Sequence, residues 1–419
     1  MINTTVVIIA GGKGTRIASV NSEIPKAMLP INGKPILEYQ IVMAKRYGIT
    51  DFLLIIGHLG DAIIDYFGDG EKWDVSIRYY MEETPMGTAG AMPKIAHLLT
   101  DDFFIFYGDI VMDVDLEAMY YFHKKKKSEI TLLVHPNDHP YDSDIVELGD
   151  NDDVLNIYFK PHSSSFVSKN LVNASLFIFS PEIFKYIRED EKSNFEKDIF
   201  PICLNKGMKI YGYISHEYIK DMGTPDRYVR VCNDLLSGKI GQQNKKNRRK
   251  AFFLDRDGVI NKEVNLLSKP EQIELIKGVG EAIRKINESE FLAIVITNQP
   301  VIARNMCSIE ELNYIHATIE TFLGKENAYL NAVYYCPHHP DKGYPEERIE
   351  YKINCDCRKP KPGMIFQAAK DWNIDLSKSY FIGDSDIDIE AGNNAGVYES
   401  IKIEQNQDYG LLSLINQIL

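Results

Sequence analysis

The sequence predicts an α/β protein of two domains. Its 419 residues exceed a single typical core, because domains usually hold about 100 to 250 residues. Strands that alternate with helices form mainly parallel sheets with helices on both faces. Short apolar runs of this kind alternate with amphipathic segments at 6–10, 52–57, 103–107, 131–134, 251–254, 293–297 and 380–382. We expect residues 1–236 to form a Rossmann-like domain with a mixed, mainly parallel sheet, and residues 251–419 to form a second Rossmannoid domain.

Residues 237–250 are interpreted as a solvated linker between these domains. The segment has two glycines, two glutamines and almost no apolar residue to bury. It also carries a basic cluster, made of Lys245, Lys246, Arg248, Arg249 and Lys250. Nucleic-acid binding is the alternative function for this cluster, but short basic runs are commonly just solvated.

Composition excludes several other classes of protein. The formal net charge of -13 argues against nucleic acid as the main partner. No apolar run approaches the length of about 18 residues that a membrane span needs, and no charged-then-apolar leader precedes the first strand. Six unevenly spaced cysteines are too few for a disulfide framework. We expect a cytoplasmic protein with no membrane or nucleic-acid partner; the oligomeric state is not predicted.

The first strand leads into a glycine-rich turn. Gly11, Gly12 and Gly14 allow backbone N–H groups to converge on a phosphate, with Thr15 beside them, and Lys13 and Arg16 add positive charge. A nucleoside triphosphate is the expected guest. A glycine-rich turn is weak evidence when it stands alone, because glycines also serve ordinary turns.

Four further motifs follow the turn. Lys26 stands in a proline-bounded loop at 25–30 that can hold its ammonium against a second phosphate. Gly87 and Thr88 begin the next motif, Asp109 follows a strand, and Asp221 precedes Gly223. In this order, the motifs of residues 1–235 resemble those of the sugar-1-phosphate nucleotidyltransferases.

That resemblance implies in-line attack by a sugar 1-phosphate on the α-phosphorus of a nucleoside triphosphate, with release of pyrophosphate. Asp109 and Asp221 would hold Mg²⁺, Lys26 and Arg16 would stabilise the triphosphate, and Gly87 and Thr88 would line the base and sugar. Lys160 matches the lysine that contacts the sugar phosphate, although Phe159 stands where an acid is common. Asn173 also follows the family pattern. As an isolated residue, Asp109 could instead cap a turn.

Four positions in the second half carry a different chemistry. Asp255 follows a buried strand and Asp257 comes two residues later, so a cation between them would offset their repulsion. Thr297 ends another strand, Lys359 follows Arg358, and Asp384 ends a third strand. This order of nucleophile, hydroxyl, lysine and distal acid over residues 250–405 resembles the haloacid dehalogenase (HAD) superfamily.

The HAD resemblance implies a phosphatase. Asp255 would attack phosphorus to give an aspartyl-phosphate, and Asp257 would protonate the leaving oxygen and then activate water. Mg²⁺ would be held by Asp255, Asp384 and the backbone of Asp257, while Thr297 and Lys359 would hold the phosphoryl oxygens.

A cysteine-rich loop predicts a structural zinc site. Cys336, His338, Cys355 and Cys357 supply four ligands in two short arms, which suits closed tetrahedral Zn²⁺. His339 is the alternative histidine, but Pro337 fixes a bend that favours His338. Cys203, Cys232 and Cys307 are interpreted as packing residues.

The zinc-bearing loop resembles that of the D-glycero-D-manno-heptose 1,7-bisphosphate 7-phosphatases; histidinol phosphatases share it and are the nearest alternative. In this family Arg358 would select the substrate. Asn261, Arg304, Asn298 and Gln299 would contact it.

Together the two resemblances imply a bifunctional enzyme of nucleotide-activated heptose synthesis. Its phosphatase would remove the 7-phosphate, and its transferase would attach a nucleotide from GTP to heptose 1-phosphate. One alternative is a hexose-1-phosphate transferase, for example for mannose, fused to another sugar phosphatase. A second is a non-catalytic sugar-nucleotide-binding module in the first half.

Overall fold

The computed structural model describes residues 2–12, 23–343 and 346–419. The chain divides into two compact α/β units. The first comprises Met1–His135, Val146–Phe159 and Asn173–Asn244; the second comprises Pro136–Ile145, Lys160–Val172 and Lys245–Leu419. The predicted fold class is confirmed. Unit 2 also includes two short segments from the first half of the sequence. A single boundary near residue 236 therefore does not divide the chain into these two units.

Unit 1 is built on a mixed, largely parallel sheet. Its strands and two small hairpin pairs, as far as the chain is described, are β1 (Thr5–Ile9), β2 (Pro30–Ile31), β3 (Lys34–Pro35), β4 (Asp51–Ile56), β5 (Ser76–Met81), β6 (Phe103–Tyr107), β7 (Ile110–Asp113), β8 (Ile130–His135), β9 (Ile145–Leu148), β10 (Val154–Tyr158), β11 (Val172–Phe179), β12 (Ile210–Ile214) and β13 (Tyr218–Asp221). The central order is β10-β9-β11-β6-β1-β4-β5, with β8 joined to β11 and β12 to β8. Strand β1 runs parallel to both β4 and β6, whereas β11 runs antiparallel to β6.

Helices cover this sheet on both faces because its strands are apolar on both sides. Strand β4, for example, is buried at every position after Asp51. The helices of unit 1 are α1 (Ile36–Arg46), α2 (Asp61–Phe67), α3 (Met92–Ile95), α4 (Leu116–Lys126), α5 (Phe200–Asn205), α6 (Pro225–Leu236) and α7 (Lys239–Gln242). Helix α4 begins where the Asp115 carboxylate accepts the N–H groups of Glu117 and Ala118, and it ends in lysines that complement the helix dipole.

Unit 2 contains a parallel sheet in the order β16-β15-β14-β17-β18. Its strands are β14 (Lys250–Leu254), β15 (Phe291–Asn298), β16 (Ala332–Cys336), β17 (Tyr380–Gly383) and β18 (Glu399–Lys402). Its helices are α8 (Val279–Glu288), α9 (Ile309–Lys325), α10 (Gly363–Trp372), α11 (Asp386–Ala395) and α12 (Gly410–Ile418). Apolar clusters lie on both faces of the sheet, so each strand needs the near-continuous hydrophobic run seen in the sequence.

Helix α9 holds the two segments that unit 2 takes from the first half of the chain. The Glu320 carboxylate accepts the backbone N–H of Asn170 at 2.6 Å, and the Thr321 hydroxyl lies 3.3 Å from both backbone polar atoms of Ser168. The Asn170 side chain in turn donates to the carbonyl of Asn137 at 2.7 Å. Burial raises the pKa of Glu320, although the Asn170 bond opposes this.

The segment 237–250 is not the solvated linker that the sequence predicts. It contains helix α7, and Asn244 is buried, with its amide donating to Asp113 and to the Tyr47 hydroxyl. On the other side of the division between the units, Arg249 is buried and its backbone bonds that of Asn373. Two polar residues of this segment are therefore packed against protein partners, while others, such as Lys246 and Arg248, remain exposed.

In the ranges that the structure describes, helices are too short or too polar to cross a bilayer.

Candidate active sites and metal centre

Catalytic candidates of unit 2 meet at one edge of its sheet. Asp255 follows β14, Thr297 is the penultimate residue of β15, and Asp384 follows β17. Strand β14 runs parallel to both β15 and β17, so the carboxyl ends of the three strands lie side by side. Ligands of open α/β sheets bind beyond this edge.

Lys359 joins two buried carboxylates at the centre of this edge. Its Nζ lies 2.8 Å from Asp255 Oδ1 and 2.6 Å from Asp388 Oδ1, and it donates to the carbonyl of Ile296. Only 4% of Lys359 and 1% of Asp388 is exposed, so neither charge is screened by bulk water. Asp255 Oδ1 also accepts the backbone N–H of Arg256 at 2.7 Å. Both of these contacts engage Oδ1 of the Asp255 carboxylate.

Burial and charge shift the pKa values here in opposite directions. Burial raises the pKa of Asp255 to about 7, with Asp388 adding to the rise and Lys359 opposing it. Burial lowers the pKa of Lys359, but the two carboxylates outweigh it and the net shift is upward. The protonated form of Lys359 is therefore favoured, and a further cation beside Lys359 would favour the ionised form of Asp255.

Three carboxylates converge where a cation would bind. One oxygen from each of Asp255, Asp384 and Asp388 lies within 4.8 Å of the others. Oxygen-only ligands of this charge fit Mg²⁺. A Cβ added at Gly258, which has a φ of +82°, would overlap the Asp384 carboxylate, so the turn after Asp257 requires glycine.

The Asp257 carboxylate is turned toward protein donors. Arg256 gives it three bonds of 2.7 to 3.1 Å, Asn261 donates at 2.9 Å and Gln299 at 2.8 Å. Burial raises the pKa of Asp257, but Arg256 and the amides outweigh it and lower it overall. The expected metal contact of Asp257 is through its backbone, which this ion pair leaves unengaged.

Asn261 and Gln299, which the sequence predicts to contact the substrate, are instead buried beside Asp257. Asn261 is fully buried and Gln299 is 2% exposed. Both amides donate to Asp257, and Gln299 also donates to the Thr297 hydroxyl at 2.9 Å. Because they have almost no accessible surface, they orient Asp257 and Thr297 in this structure rather than touch a substrate.

The remaining substrate candidates lie around the cysteine-rich loop. Asn298 bonds both backbone polar groups of Lys359, which fixes the position of that lysine. Arg358 donates to the carbonyl of His338. Burial lowers the pKa of His339, and the positive charges of Arg358 and Arg304 lower it further. Both guanidinium groups therefore lie near this histidine.

Four soft ligands converge in that loop. The sulfur atoms of Cys336, Cys355 and Cys357 lie 3.1 to 3.5 Å apart, and His338 Nδ1 lies 3.3 Å from Cys357 Sγ. These four residues form a compact group, while His339 Nδ1 instead accepts the N–H of Asp341. A Cys₃His set that converges without disulfides fits a closed zinc site.

Unit 1 also collects its candidates at the carboxyl edge of parallel strands. Gly11 follows β1, Gly57 follows β4, Glu82 follows β5 and Asp109 follows β6. Backbone approach is close here, because a Cβ on Gly57 would lie 3.2 Å from the Gly11 carbonyl oxygen. Gly12 has open space around it. A phosphate bound at this edge, as the sequence predicts, would meet open backbone at Gly12.

Asp109 and Asp221 are brought to neighbouring positions. Asp221 pairs with Ile110 in the β13–β7 ladder, and the N–H of Met222 donates to the Asp109 carbonyl. Lys26 Nζ forms an ion pair with Asp109 Oδ2. Arg227 holds both Asp221 oxygens, at 2.9 and 2.6 Å. Burial raises the pKa of Asp221, but Arg227 outweighs this and lowers it overall. Carboxylate oxygens beside a lysine are groups of the kind that can hold Mg²⁺ and polyphosphate.

Glu82 is a site residue that sequence reasoning missed. Its Oε2 lies 2.5 Å from the place of a Cβ on Gly11, and its Oε1 accepts the N–H of Met86 at 3.3 Å. The carboxylate therefore lies between the glycine-rich turn and the Gly87–Thr88 turn. Burial raises its pKa, with the Met86 bond opposing.

Other predicted residues of the first half are distributed as follows. Thr88 Oγ1 accepts the N–H of Phe195, and Asn173 Oδ1 accepts that of Ser175. Lys160 belongs to unit 2, where its Nζ donates to the carbonyl of Asp142. Lys13, Gly14, Thr15 and Arg16 lie outside the described residues.

Asp388 and Arg256 were also missed. Asp388 lies four residues after Asp384 and completes the capping box of α11, whose N-cap is Ser385; its Oδ2 accepts the N–H and the hydroxyl of Ser385. An acid at that helical spacing was the available signal. Arg256 is 1% exposed and its Nη1 lies 3.2 Å from His316 Nε2 on α9, a contact that no sequence pattern indicates.

Two family models match different parts of the chain. The nucleotidyl transferase family model matches residues 5–238, and a HAD-hydrolase-like model matches residues 356–401. The first match covers more than half of the chain and contains the Lys26, Asp109 and Asp221 positions. The second contains Lys359, Asp384 and Asp388.

Curated relatives match one half or the other. A mannose-1-phosphate guanylyltransferase of Mycobacterium tuberculosis is 32% identical over 235 residues, 55% of this chain and 64% of that protein, so the chain spans less than two thirds of its length. A D-glycero-beta-D-manno-heptose-1,7-bisphosphate 7-phosphatase of Haemophilus ducreyi is 38% identical over 156 residues, 37% of this chain and 83% of that protein. A D-glycero-alpha-D-manno-heptose-1,7-bisphosphate 7-phosphatase of Photorhabdus laumondii is 40% identical over 151 residues, which are 36% of this chain and 80% of that protein.

Proposed function

The chain belongs to the nucleotidyl transferase family in its first half and to the HAD phosphatases of heptose bisphosphate in its second, and from this premise we propose that it is a bifunctional enzyme of nucleotide-activated heptose synthesis. Unit 2 removes the 7-phosphate of heptose 1,7-bisphosphate. Unit 1 then joins the heptose 1-phosphate to GMP from GTP and releases pyrophosphate. The product of one reaction is the acceptor of the other, which gives the fusion its chemical reason.

The observation that carries the phosphatase proposal is the Asp255–Lys359–Asp388 arrangement. Asp255 Oδ1 is held by Lys359 and by the N–H of Arg256, so Oδ2 attacks phosphorus. Mg²⁺ at Asp255 and Asp384 would neutralise part of the charge as two anions approach. Asp257 would serve the leaving oxygen and then water as acid and base, a role that requires its carboxylate to turn from Arg256 toward the substrate. Thr297 and Lys359 hold the phosphoryl oxygens.

For unit 1, the proposal depends on Lys26, Asp109 and Asp221. Their charges are arranged for a triphosphate with a divalent cation, and phosphoryl transfer needs little more than positioning and charge neutralisation. A binding module without catalysis would have no use for both metal-type carboxylates beside a phosphate lysine. We therefore assign nucleotidyl transfer rather than sensing to this unit.

Guanine is favoured by Glu82. Guanine presents two adjacent donors, N1–H and the N2 amino group, which match the two oxygens of a carboxylate. Uracil and thymine offer one N–H flanked by carbonyl oxygens that repel a carboxylate. The position of Glu82 between Gly11 and Met86 places such an acceptor beside the glycine-rich turn. The guanylyltransferase relative agrees with this choice.

Zinc has a structural part in this proposal. Cys336, His338, Cys355 and Cys357 would close all four positions of a tetrahedral ion, leaving none for a substrate. The metal would hold the loop that carries Arg358, whose guanidinium and that of Arg304 suit the phosphate and hydroxyls of a sugar bisphosphate.

A mannose-specific transferase fused to a different phosphatase is the second candidate, favoured by the name of the guanylyltransferase relative. One experiment separates the two. The purified chain is incubated with Mg²⁺, with the α or β anomer of heptose 1,7-bisphosphate or with mannose 1-phosphate, and with each nucleoside triphosphate. Phosphate release and nucleotide-sugar mass are followed.

GDP-heptose from one anomer supports both units and fixes the stereochemistry. Turnover of mannose 1-phosphate without heptose transfer rejects the heptose assignment of unit 1. Asp255→Asn is expected to stop phosphate release while sparing transfer from heptose 1-phosphate, and Asp109→Asn to do the reverse. Loss of both activities in either variant contradicts two separate sites.

A further inference from the structure

Unit 2 contains a cavity of about 150 Å³ that neither proposed reaction uses. Helix α9 lines it with Glu320, Thr321 and Gly324, and the segments 136–145 and 160–172 line it from the other side. All of its lining residues belong to unit 2, and none is a catalytic, substrate or metal candidate. A space of about this volume between apolar side chains accepts a benzene ring.

The two segments are fixed to α9 and to each other, so the cavity is preformed. Pro140 packs against Gly324, where a Cβ would lie 2.7 Å from the Pro140 Cγ, so only glycine allows this contact. The His162 ring donates from Nε2 to the carbonyl of Ser143 at 2.7 Å, which joins one segment to the other. Together with the bonds from α9 to residues 168–170, these contacts hold open a space that side chains do not fill.

Flat apolar surface lines the segment side of the cavity. The His162 and Phe166 rings stack with centroids 4.6 Å apart and planes inclined by 12°. Pro140 and Ile145 add apolar atoms from the other segment. Flat surface of this kind packs well against another planar ring, and the burial of apolar ring area would supply most of the binding free energy.

The Glu320 carboxylate places a hydrogen-bond acceptor at this cavity. Its Oε2 accepts the N–H of Asn170 at 2.6 Å, and no donor within the described ranges bonds its Oε1. Because burial raises the pKa of Glu320, its surroundings are poorly solvated, and an oxygen without a donor there costs free energy. An N–H group on a ring in the cavity would supply that donor, through a bond stronger than one made in water.

Positive charge on the exposed side limits which ligand fits. Lys325 lines the cavity, is exposed to solvent and follows Glu320 by more than one turn of α9. Burial raises the pKa of Glu320, and the Asn170 bond and then the charge of the exposed Lys169 oppose this rise. Both lysines would repel a cationic ligand, whereas Lys325 would attract an anionic group. A neutral N–H donor therefore suits Glu320, and an anion suits the exposed side.

We propose that this cavity is a binding site for a single aromatic or heteroaromatic ring with a neutral N–H donor at one end and an anionic group at the other. The ring packs beside His162 and Phe166, the donor bonds Glu320 Oε1, and the anion pairs with Lys325. The site is separate from both proposed reactions, so it stands whichever sugar or nucleotide they use.

The probe is para-aminobenzoate, which carries a neutral amino group and a carboxylate at opposite ends of one ring. Benzoate lacks the donor, and aniline lacks the anion. Dissociation constants are measured by ligand-observed NMR with the full chain near neutral pH. A ligand of this size is expected to bind with a dissociation constant of about 1 mM, and each incomplete probe about tenfold more weakly.

Two charge-removing variants separate the two ends of the ligand. Glu320→Gln keeps an acceptor for the Asn170 N–H, and it is expected to weaken para-aminobenzoate about tenfold without weakening benzoate. Lys325→Gln should weaken para-aminobenzoate and benzoate and leave aniline unchanged. Glu326→Gln, at the exposed C-cap of α9, is the matched control and should change none of the three.

Ser164→Phe tests the cavity itself. Ser164 is an exposed lining residue whose hydroxyl makes no hydrogen bond within the described ranges, so the substitution adds a ring without removing a bond. It is expected to abolish binding of all three probes, while the thermal midpoint of unfolding and phosphate release stay at their wild-type values.

Unchanged affinity for para-aminobenzoate in either Glu320→Gln or Ser164→Phe would overturn the proposal. Equal weakening of benzoate and para-aminobenzoate by Glu320→Gln would also overturn it, because a direct bond to the amino group discriminates between these probes. A third contrary result is the absence of saturable binding of para-aminobenzoate up to about 20 mM.

Discussion

The carboxylate of Asp384 occupies the space in which a side chain at Gly258 would begin. Gly258 also has a φ of +82°, which costs an L-residue about 1 to 2 kcal/mol. Backbone conformation and contact therefore both require glycine in the turn that follows Asp257.

Gly258→Ala is expected to lower phosphate release about a hundredfold, because displacing Asp384 moves a cation ligand out of position. Nucleotidyl transfer by unit 1 should be unaffected. The control is Gly396→Ala, since Gly396 has a φ of +73° but nothing within 4 Å of its added Cβ. Equal effects of the two substitutions on phosphatase kcat would show that backbone strain alone is responsible.

Glu82→Gln is expected to lower kcat/KM for GTP about tenfold to hundredfold and to narrow the preference for GTP over UTP. The amide can accept only one of the two guanine donors, and its own NH₂ opposes the other. Glu83→Gln, at the exposed next position, is the matched control. Unchanged base selectivity in the Glu82 variant would reject the guanine assignment.

Cys355→Ser is expected to release one zinc per chain, measured by metal analysis, and to lower the thermal midpoint of unit 2. Phosphate release should fall because the loop that carries Arg358 is no longer held in place by the metal. Cys232→Ser, a cysteine outside the cluster, should retain the metal. Retention of zinc by the Cys355 variant would show that this sulfur is not a ligand.

His316 predicts a pH dependence of stability. Burial, and then Arg256, lower its pKa well below the ordinary value, so the unfolded chain binds a proton near pH 6.5 that the folded chain does not. This contribution to the free energy of unfolding falls as pH drops below about 6.5, by up to about 2 kcal/mol at pH 5.

His316→Gln keeps an acceptor for Arg256 and should lose less stability between pH 7 and pH 5 than the wild type. Urea unfolding in a Trp73→Phe background reports on unit 2 through Trp372. Identical pH profiles for the two proteins would mean that His316 titrates normally.

The strand ends were predictable and the orientation of the side chains was not. Each apolar run that the sequence offers lies in a strand, and Asp255, Thr297, Asp384 and Asp109 appear at carboxyl ends because buried parallel strands leave few other places for polar residues. A one-dimensional pattern indicates which residues reach the edge of a sheet.

Asn261 and Gln299 show where that pattern stops. Both stand next to catalytic residues in sequence and were expected at the substrate, yet burial turns them toward Asp257. Glu82 is the converse case, because its place beside Gly11 depends on the approach of β5 to β1 through β4. Contacts between strands that are distant in sequence are set by packing, which motifs do not encode.

The segments 136–145 and 160–172, the second of which is bonded by Glu320 and Thr321, bear on how such a fusion evolves. Two independent genes joined end to end could be parted again by a single break between them. Here such a break would separate α9 from segments that contact it, and would leave the half-buried Glu320 carboxylate without the N–H of Asn170. Separating the two halves would therefore remove contacts of α9, and selection for stable folding would favour keeping the two genes joined.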